Sequence, residues 1–405
     1  MNPIRQRQGF RNENGQILMI YALVIPLLLL FAGIAIDFGF AYVTKMNLSK
    51  AVDAAALAGM RNYGKGQAQA TAIALDAFNA NYQSSSGLSS NPPAVNIAVT
   101  TDANSNRIVN VSATVAMNTF FIRLLPSYGT LNISSSAQTT APRLIMSLVL
   151  DKSGSMKLNG GAQALPPAVV NFLGDFDNST DEVAEVSFST LAKVDVPIET
   201  NFLSPISSAV NSMTFGGATF SQAGLQDGQT QINSVSVAPG ENVVKVAVFF
   251  TDGWANTVEG NLNCPPITLL NFGGCAPPEA AVGWCSGISF MNPTTGSMQS
   301  CGATSFPSQQ TGTNLSLTQT NIANEAMYRS VQVANSMRTQ NIVVYSIGLG
   351  DKISEPFLQQ VANDPASTTY DPTQPVGAAV FAPTPAELND VFQTIAAKIV
   401  LRISQ

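Results

Sequence analysis

Histidine is absent from all 405 residues. That removes imidazole-based catalytic dyads and triads, histidine-containing zinc sites and the usual switch near neutral pH. Charge is scarce too: 11% of residues are Asp, Glu, Lys or Arg, against roughly 25% in an average soluble domain, which argues against an ordinary cytosolic protein. Cysteine is confined to Cys264, Cys275, Cys285 and Cys301, in one stretch, with spacings unlike the CxxC pairs of a metal site. Two disulfides stapling a long loop outside the cytoplasm are the expected use, with three pairings open; free structural thiols are the alternative.

Apolar residues, by contrast, make up 45% of the chain, which excludes disorder throughout. The length allows one large or two to three ordinary domains. Residues 1–140 hold 9 basic and 5 acidic side chains, net +4, and residues 141–405 hold 10 and 20, net -10. The acidic larger part disfavours a general nucleic-acid binder.

Residues 17–36 carry no charge, and at 1.5 Å per residue such a helix spans about 30 Å, the thickness of the bilayer hydrocarbon. A membrane helix is expected, with the kink at Pro26 tolerated. Arg5, Arg7 and Arg11, opposed only by Glu13, place the N-terminus inside. The apolar run exceeds a usual signal core and lacks a small-x-small exit before Asp37, so a retained anchor is expected rather than a cleaved signal peptide. The domains follow: 1–16 cytoplasmic, 17–36 transmembrane, 37–141 a membrane-proximal module, 142–405 the main domain. Within the module the patterning predicts helices over 41–62 and 68–80, a Ser/Asn/Pro loop over 83–93, and strands over 95–99, 107–117 and 130–136. Its alanines would admit a second helix closely. A plain stalk is the alternative.

The N-terminal stretch resembles the TadE/TadG-like tight-adherence pilus-assembly proteins. The resemblance rests on Gly15 and Gln16 after basic residues, the apolar segment through Pro26, Ile36-Asp37-Phe38-Gly39, Tyr42, Leu48 and the run Ala51-Val52-Asp53-Ala54-Ala55-Ala56-Leu57-Ala58-Gly59. It implies an inner-membrane anchor with the remainder in the periplasm, and some members end in a von Willebrand type A domain. The shorter pilin-like members have a glutamate soon after the glycine processed by prepilin peptidase. Here those positions read Gln16-Ile17-Leu18-Met19-Ile20-Tyr21, and the resemblance does not extend to that processing.

In the main domain the apolar run 144–150 reads as a strand buried on both faces, and Asp151-Lys152-Ser153-Gly154-Ser155 follows it. One carboxylate and two hydroxyls on a tight loop suit a hard divalent cation; alone, the string also fits a serine-rich turn or helix cap. A second turn, Phe215-Gly216-Gly217-Ala218-Thr219, brings another hydroxyl before the helical pattern around Leu225, within 217–229. A second apolar run, 243–250, ends in Thr251-Asp252-Gly253. Such loops lie where open parallel sheets present ligands.

Together they resemble the metal-ion-dependent adhesion site of the von Willebrand type A family. The resemblance implies an α/β fold with a doubly wound, mostly parallel sheet. Asp151, Ser153, Ser155, Thr219 and Asp252 would be the metal ligands, and the cation Mg2+, with Mn2+ or Ca2+ as alternatives. Family sites leave one metal position for an acidic side chain from a partner. Ala218 stands directly before Thr219, where many members have glycine. Further strands are expected over 183–187 and 194–198, possessing the pattern of a hairpin edge, and over 342–347, with helices over 324–338 and 387–400. Residues 254–320, rich in Gly, Pro, Ser, Thr and Asn, form a cysteine-containing insertion. Residues 363–383 would form a smaller rim.

The expected function is a single-pass inner-membrane protein whose periplasmic domain binds an acidic group of a protein partner, such as a pilus component, in a type IVb (Flp) pilus system, without catalysis. A structural envelope protein with no metal-dependent ligand is one alternative. A metal-dependent hydrolase is another, with Asp175, Asp177, Asp181, Glu182 and Glu185 as nearby acids; these read equally as a solvated acidic surface.

Overall fold

The computed structural model describes residues 14–83, 92–102, 106–124, 128–262, 280–284, 286–299 and 301–403. Arg5, Arg7, Arg11, Glu13, most of the 83–93 loop, and Cys264, Cys275 and Cys285 lie outside them. Cys301 is disulfide-bonded. The chain divides into two units, one of residues 1–59, 71–98 and 109–139, the other of residues 60–70, 99–108 and 140–405.

In the first unit, helix α1 (Asn14–Arg61) runs without a break through Pro26. It is long and apolar enough to cross a membrane, and its large side chains from Ile17 to Leu29 and at Phe31 are exposed. From Gly33 onward its character changes. Gly33, Asp37, Ala41, Thr44, Leu48, Ala51 and Ala55 are buried, a stripe spaced three or four residues apart, as one helix face requires.

That stripe meets a sheet of strands β1 (Ala94–Thr101), β2 (Arg107–Asn118) and β3 (Thr130–Ala141), ordered β1-β2-β3. Ala41 packs against Met117, Leu131 and Ile133, and Ser49 shares a 2.9 Å hydrogen bond with Ser135. Helix α2 (Gln67–Asn81) adds buried Ala74 and Phe78. The buried Asp37 carboxylate accepts the backbone N–H groups of Phe120 and Phe121 at 2.9 Å and of Ile122 at 2.7 Å. Three donors that would otherwise lie unpaired in a tight 3-10 turn (Ile122–Leu124) are thereby satisfied.

The second unit is built on a six-stranded sheet. Its strands are β4 (Arg143–Asp151), β5 (Glu182–Phe188), β6 (Ala192–Glu199), β7 (Val243–Thr251), β14 (Ile342–Leu349) and β15 (Ala379–Ala382), in the order β15-β14-β7-β4-β5-β6. All neighbours are parallel except β5 and β6, the mixed, mostly parallel sheet expected, with the hairpin edge in place. β4 and β14 are buried along their whole length, because helices cover both faces.

On one face lie α6 (Ser221–Ser234), α7 (Gln319–Thr339) and α8 (Glu355–Ala362), whose Leu225, Ile232, Ala334, Met337, Phe357 and Leu358 pack with Val149, Phe188 and Phe249. On the other, α4 (Gly161–Leu173) and α9 (Leu388–Ile403) meet through Phe172 and Phe392, and Phe392 lies 5.9 Å from Phe250. The short helices α3 (Ser155–Leu158) and α5 (Leu203–Asn211) complete the set. Pro166 and Pro167 inside α4 hide it from a pattern reading. The 363–383 stretch supplies the edge strand β15.

The described residues of 254–320 form small sheets of their own. β8 (Thr257–Glu259), β9 (Ala280–Trp284), β10 (Gly287–Met291) and β11 (Met298–Gln299) form an antiparallel sheet, and β12 (Ser305–Pro307) pairs with β13 (Asn314–Ser316). Val258, Ala281 and Phe306 pack on Ile322 and Ala326 of α7. A buried Glu325–Arg329 pair on α7 clamps the insertion. Glu325 accepts the Ser308 hydroxyl and the Gln309 N–H, while Arg329 donates to the carbonyls of Glu259 and Pro307.

The acidic run 175–185 is not a solvated surface. Asp177, Asp181 and Glu185 are buried. Asp181 is ion-paired with Arg107 and accepts the backbone N–H groups of Leu144 and Asp177, both at 2.9 Å. Arg107 also lies 5.5 Å from the ring centre of Tyr63. These carboxylates are structural because they satisfy a buried cation and backbone donors. Glu185 differs, since neither of its carboxylate oxygens has a hydrogen-bond partner. Burial pushes its pKa up to about 8, helped by Asp195 and opposed by Lys152 and Lys193.

Two outcomes follow from these buried acids. Asp37→Ala leaves N–H groups unpaired at about 1–3 kcal/mol each, so trypsin cleavage after Arg123 in the detergent-solubilised chain should quicken about tenfold or more; an unchanged rate would show that Asp37 does not hold the turn. Glu185 stays protonated in the folded state while the unfolded carboxyl is ionised. Between about pH 5 and its folded pKa of about 8 it therefore subtracts about 1.4 kcal/mol of stability per pH unit. Denaturant melts should show Glu185→Gln removing that slope; equal slopes in both proteins would refute it.

Candidate metal centre

The site stands on the carboxyl ends of β4 and β7. These strands pair in parallel, Leu150 opposite Phe250, so Asp151 ends one and Asp252 follows the other at the same sheet edge. Asp151 is fully buried and Asp252 nearly so. The Asp151 carboxylate accepts the Ser153 N–H at 2.7 Å and the Thr251 hydroxyl at 2.6 Å. Ser153 and Ser155 share a hydrogen bond of 3.0 Å between hydroxyls, and the Ser155 hydroxyl donates to Asp252 at 2.7 Å. Asn159 donates to the other Asp252 oxygen at 2.7 Å.

Four of the five expected ligands are therefore joined in one hydrogen-bonded cluster. Thr219 lines the same cavity of about 480 Å³ as Ser155 and Asp252. Asn256 clamps its backbone: the Thr219 N–H donates to the Asn256 side chain at 2.8 Å, and the Asn256 N–H donates to the Thr219 carbonyl at 3.1 Å. Asn256 in turn accepts the Gly283 N–H, so the root of the insertion positions the second loop.

The close backbone approach in that loop falls at Gly217 rather than at the residue before the threonine. Gly217 has φ +89°, and a Cβ there would meet the Thr190 hydroxyl at 2.3 Å. Its carbonyl accepts the Gly154 N–H at 3.1 Å, joining the first and second loops. Ala218 is free to carry a methyl, which packs with Phe220, Ala280, Val282 and Met291.

The electrostatics describe a place for a cation. Burial and the neighbouring Asp252 carboxylate push the pKa of Asp151 up to about 7, against the pull of its hydrogen bonds from Ser153 and Thr251. Burial likewise raises Asp252, against hydrogen bonds from Ser155 and Asn159. Two desolvated carboxylates and a set of hydroxyl oxygens, all hard donors, fit Mg2+, Mn2+ or Ca2+. Among the described residues no group of three or more Asp, Glu, Cys or His could hold a metal, so a cation here would need the hydroxyls as well as the two carboxylates.

Sequence reading missed Thr251, Asn159 and Asn256. Thr251 lay in the quoted Thr251-Asp252-Gly253 string, whereas nothing in the spacing of Asn159 or Asn256 points to them. Around the cluster the cavity is walled by Leu158, Trp254, Trp284, Ala323 and Lys352.

Comparison with known proteins places these features. Residues 15–72 match the Tad family model, Flp pilus-assembly TadE/G-like, and residues 146–265 match the von Willebrand factor type A domain. No curated protein matches the sequence. Among solved structures, the pilus adhesin SpaC from Lactobacillus rhamnosus GG aligns at 15% identity over 77% of this chain and 35% of that chain, TM-score 0.43. The von Willebrand domain of the type V pili tip protein Mfa5 from Porphyromonas gingivalis aligns at 13% over 65% and 97%, TM-score 0.42. Proximal thread matrix protein 1 from the mussel byssus, with a zinc-occupied MIDAS motif, aligns at 15% over 64% and 46%, TM-score 0.37. The chain spans less than half the length of the first and third of these. It thus joins a TadE/G-like segment to a von Willebrand factor type A domain of doubly wound α/β fold.

Proposed function

We propose that this protein is a membrane-anchored assembly or adhesion component of a tight-adherence (type IVb, Flp) pilus system, which grips a protein partner through a divalent cation. In this reading residues 1–16 are cytoplasmic, 17–36 cross the inner membrane, 37–141 form the membrane-proximal module, and 142–405, with the insertion at 254–320, lie in the periplasm. The disulfide at Cys301 suits that oxidising compartment.

The observation that carries the reading is the hydrogen-bonded Asp151–Ser153–Ser155–Asp252 cluster at the edge of an open cavity, buried but for the half-buried Ser155. Asp151, Ser153, Ser155, Thr219 and Asp252 would hold the cation, Mg2+ by the hardness of its donors. A cation there relieves the carboxylate repulsion and offers a coordination position to an acidic side chain of the partner. Thr251 and Asn159 orient the two carboxylates by hydrogen bonds. What supports binding rather than turnover is that the chain has no histidine and that Asp177 and Asp181 of the 175–185 run are buried in structural hydrogen bonds.

The test uses the full chain in detergent. Saturation at 100-fold over Kd stabilises a fold by about 2.7 kcal/mol, so Mg2+ should raise the melting temperature by roughly 5 °C or more over chelator. Asp252→Asn should melt normally in chelator but lose the Mg2+ response. Capture of purified pilus components should follow the same pattern. Capture by the wild type that is indifferent to chelator would instead favour the structural envelope reading.

A further inference from the structure

A second surface, unconnected with the metal centre, lies in the connection between β2 and β3. Its described residues, 119–124 and 128–129, are unusually apolar for a loop. Phe120 is 49% exposed, Phe121 39%, Leu124 75% and Tyr128 52%. Loops facing water are ordinarily polar, and a cluster of this kind marks an interaction site.

Its position says what it meets. Asp37, the first charged residue after the apolar run, holds the N–H groups of Phe120, Phe121 and Ile122. Phe121 lies against the last turn of that run, where a Cβ on Gly33 would come within 2.5 Å of its ring. The Phe120 ring lies 5.8 Å from that of Phe40. The loop therefore sits level with residues 33–40 of α1, where a helix leaves the hydrocarbon. Ile36, Phe38 and Phe40 are themselves exposed there, so the apolar surface of the span continues onto the loop.

The backbone is also prepared for a poorly hydrated setting, in which unpaired N–H groups are costly. Besides the three donors taken by Asp37, the Leu124 N–H bonds the Phe121 carbonyl and the Thr119 N–H bonds the Gly129 carbonyl, both at 3.1 Å. The Thr119 hydroxyl donates to the Tyr128 carbonyl at 2.6 Å. Phenylalanine, leucine and tyrosine beside an exposed arginine, Arg123, match the composition of membrane interfaces.

We propose that this loop is a second membrane contact, a collar whose Phe120, Phe121, Leu124 and Tyr128 side chains enter the lipid interface beside the exit of α1. It would fix the depth and tilt of the helix and brace the module against the bilayer, which a single helix alone does not do. The inference rests on the reading that residues 17–36 span the membrane.

The test reconstitutes the full chain in phosphatidylethanolamine–phosphatidylglycerol vesicles carrying lipids brominated either near the headgroup or near the chain end. Leu28→Trp reports on the span and Leu124→Trp on the loop, each read as the emission added to that of the two native tryptophans. Tyr128→Trp serves as a second loop reporter should Leu124→Trp fail to fold. Interfacial side chains insert about 5–10 Å, so the loop emission should fall by roughly half in shallow-brominated vesicles and less in deep-brominated ones. The span reporter should show the reverse. Quenching of Leu28→Trp without quenching of either loop reporter would overturn the collar and leave the span standing, including the case in which a second copy or another protein covers the loop. Loss of quenching at Leu28→Trp as well would overturn the spanning reading itself.

Discussion

Parallel pairing of β4 with β7 is the constraint on which the main domain's chemistry depends. It brings Asp151 and Asp252 to one sheet edge and buries both, so two like charges share a poorly hydrated space. The surrounding groups answer that repulsion in part: Ser153, Ser155, Thr251 and Asn159 all donate hydrogen bonds to the pair. Hydrogen bonds do not neutralise two carboxylates, and a divalent cation does. In the proposed reading, the geometry that makes the cation-free pair unfavourable is what a hard dication would relieve.

The insertion is coupled to this centre. Asn256 holds the Thr219 peptide from both sides, and Ala218 packs beneath the insertion's sheet. At its far side Glu325 and Arg329 fix the insertion to α7. A buried ion pair of this kind adds little net stability over apolar packing, but an unpaired member is strongly disfavoured, so it specifies one arrangement of the clamped segments. The segments that carry Trp254 and Trp284 are thus held both at the Thr219 loop, through Asn256 and Gly283, and at α7.

Much of the architecture was legible from residue patterns. Uninterrupted apolar runs at 144–150 and 243–250 announced buried parallel strands, because both of their faces are covered. The DxSxS string and the two later loops were recognisable together by their resemblance to the von Willebrand type A pattern, two of them standing at the ends of such strands and one before a helix. Helix α4 was hidden by Pro166 and Pro167, and the insertion's strands by their brevity and by the Gly, Pro and Ser around them. The acidic run at 175–185 was misread, since nothing local tells that Asp181 faces Arg107, 74 residues earlier.

The sequence by itself determined the apolar span, the strand–loop positions of Asp151, Ser153, Ser155, Thr219 and Asp252, and the enzyme classes excluded by the lack of histidine. These follow from composition and short-range periodicity. Only the tertiary structure decided that Thr251, Asn159 and Asn256 hydrogen-bond the candidate ligands, that Gly217 rather than residue 218 makes the close approach, and that Asp37 secures a turn more than 80 residues away. Each of those is a contact between segments distant in the chain, where burial selects a hydrogen-bond partner that local sequence does not encode.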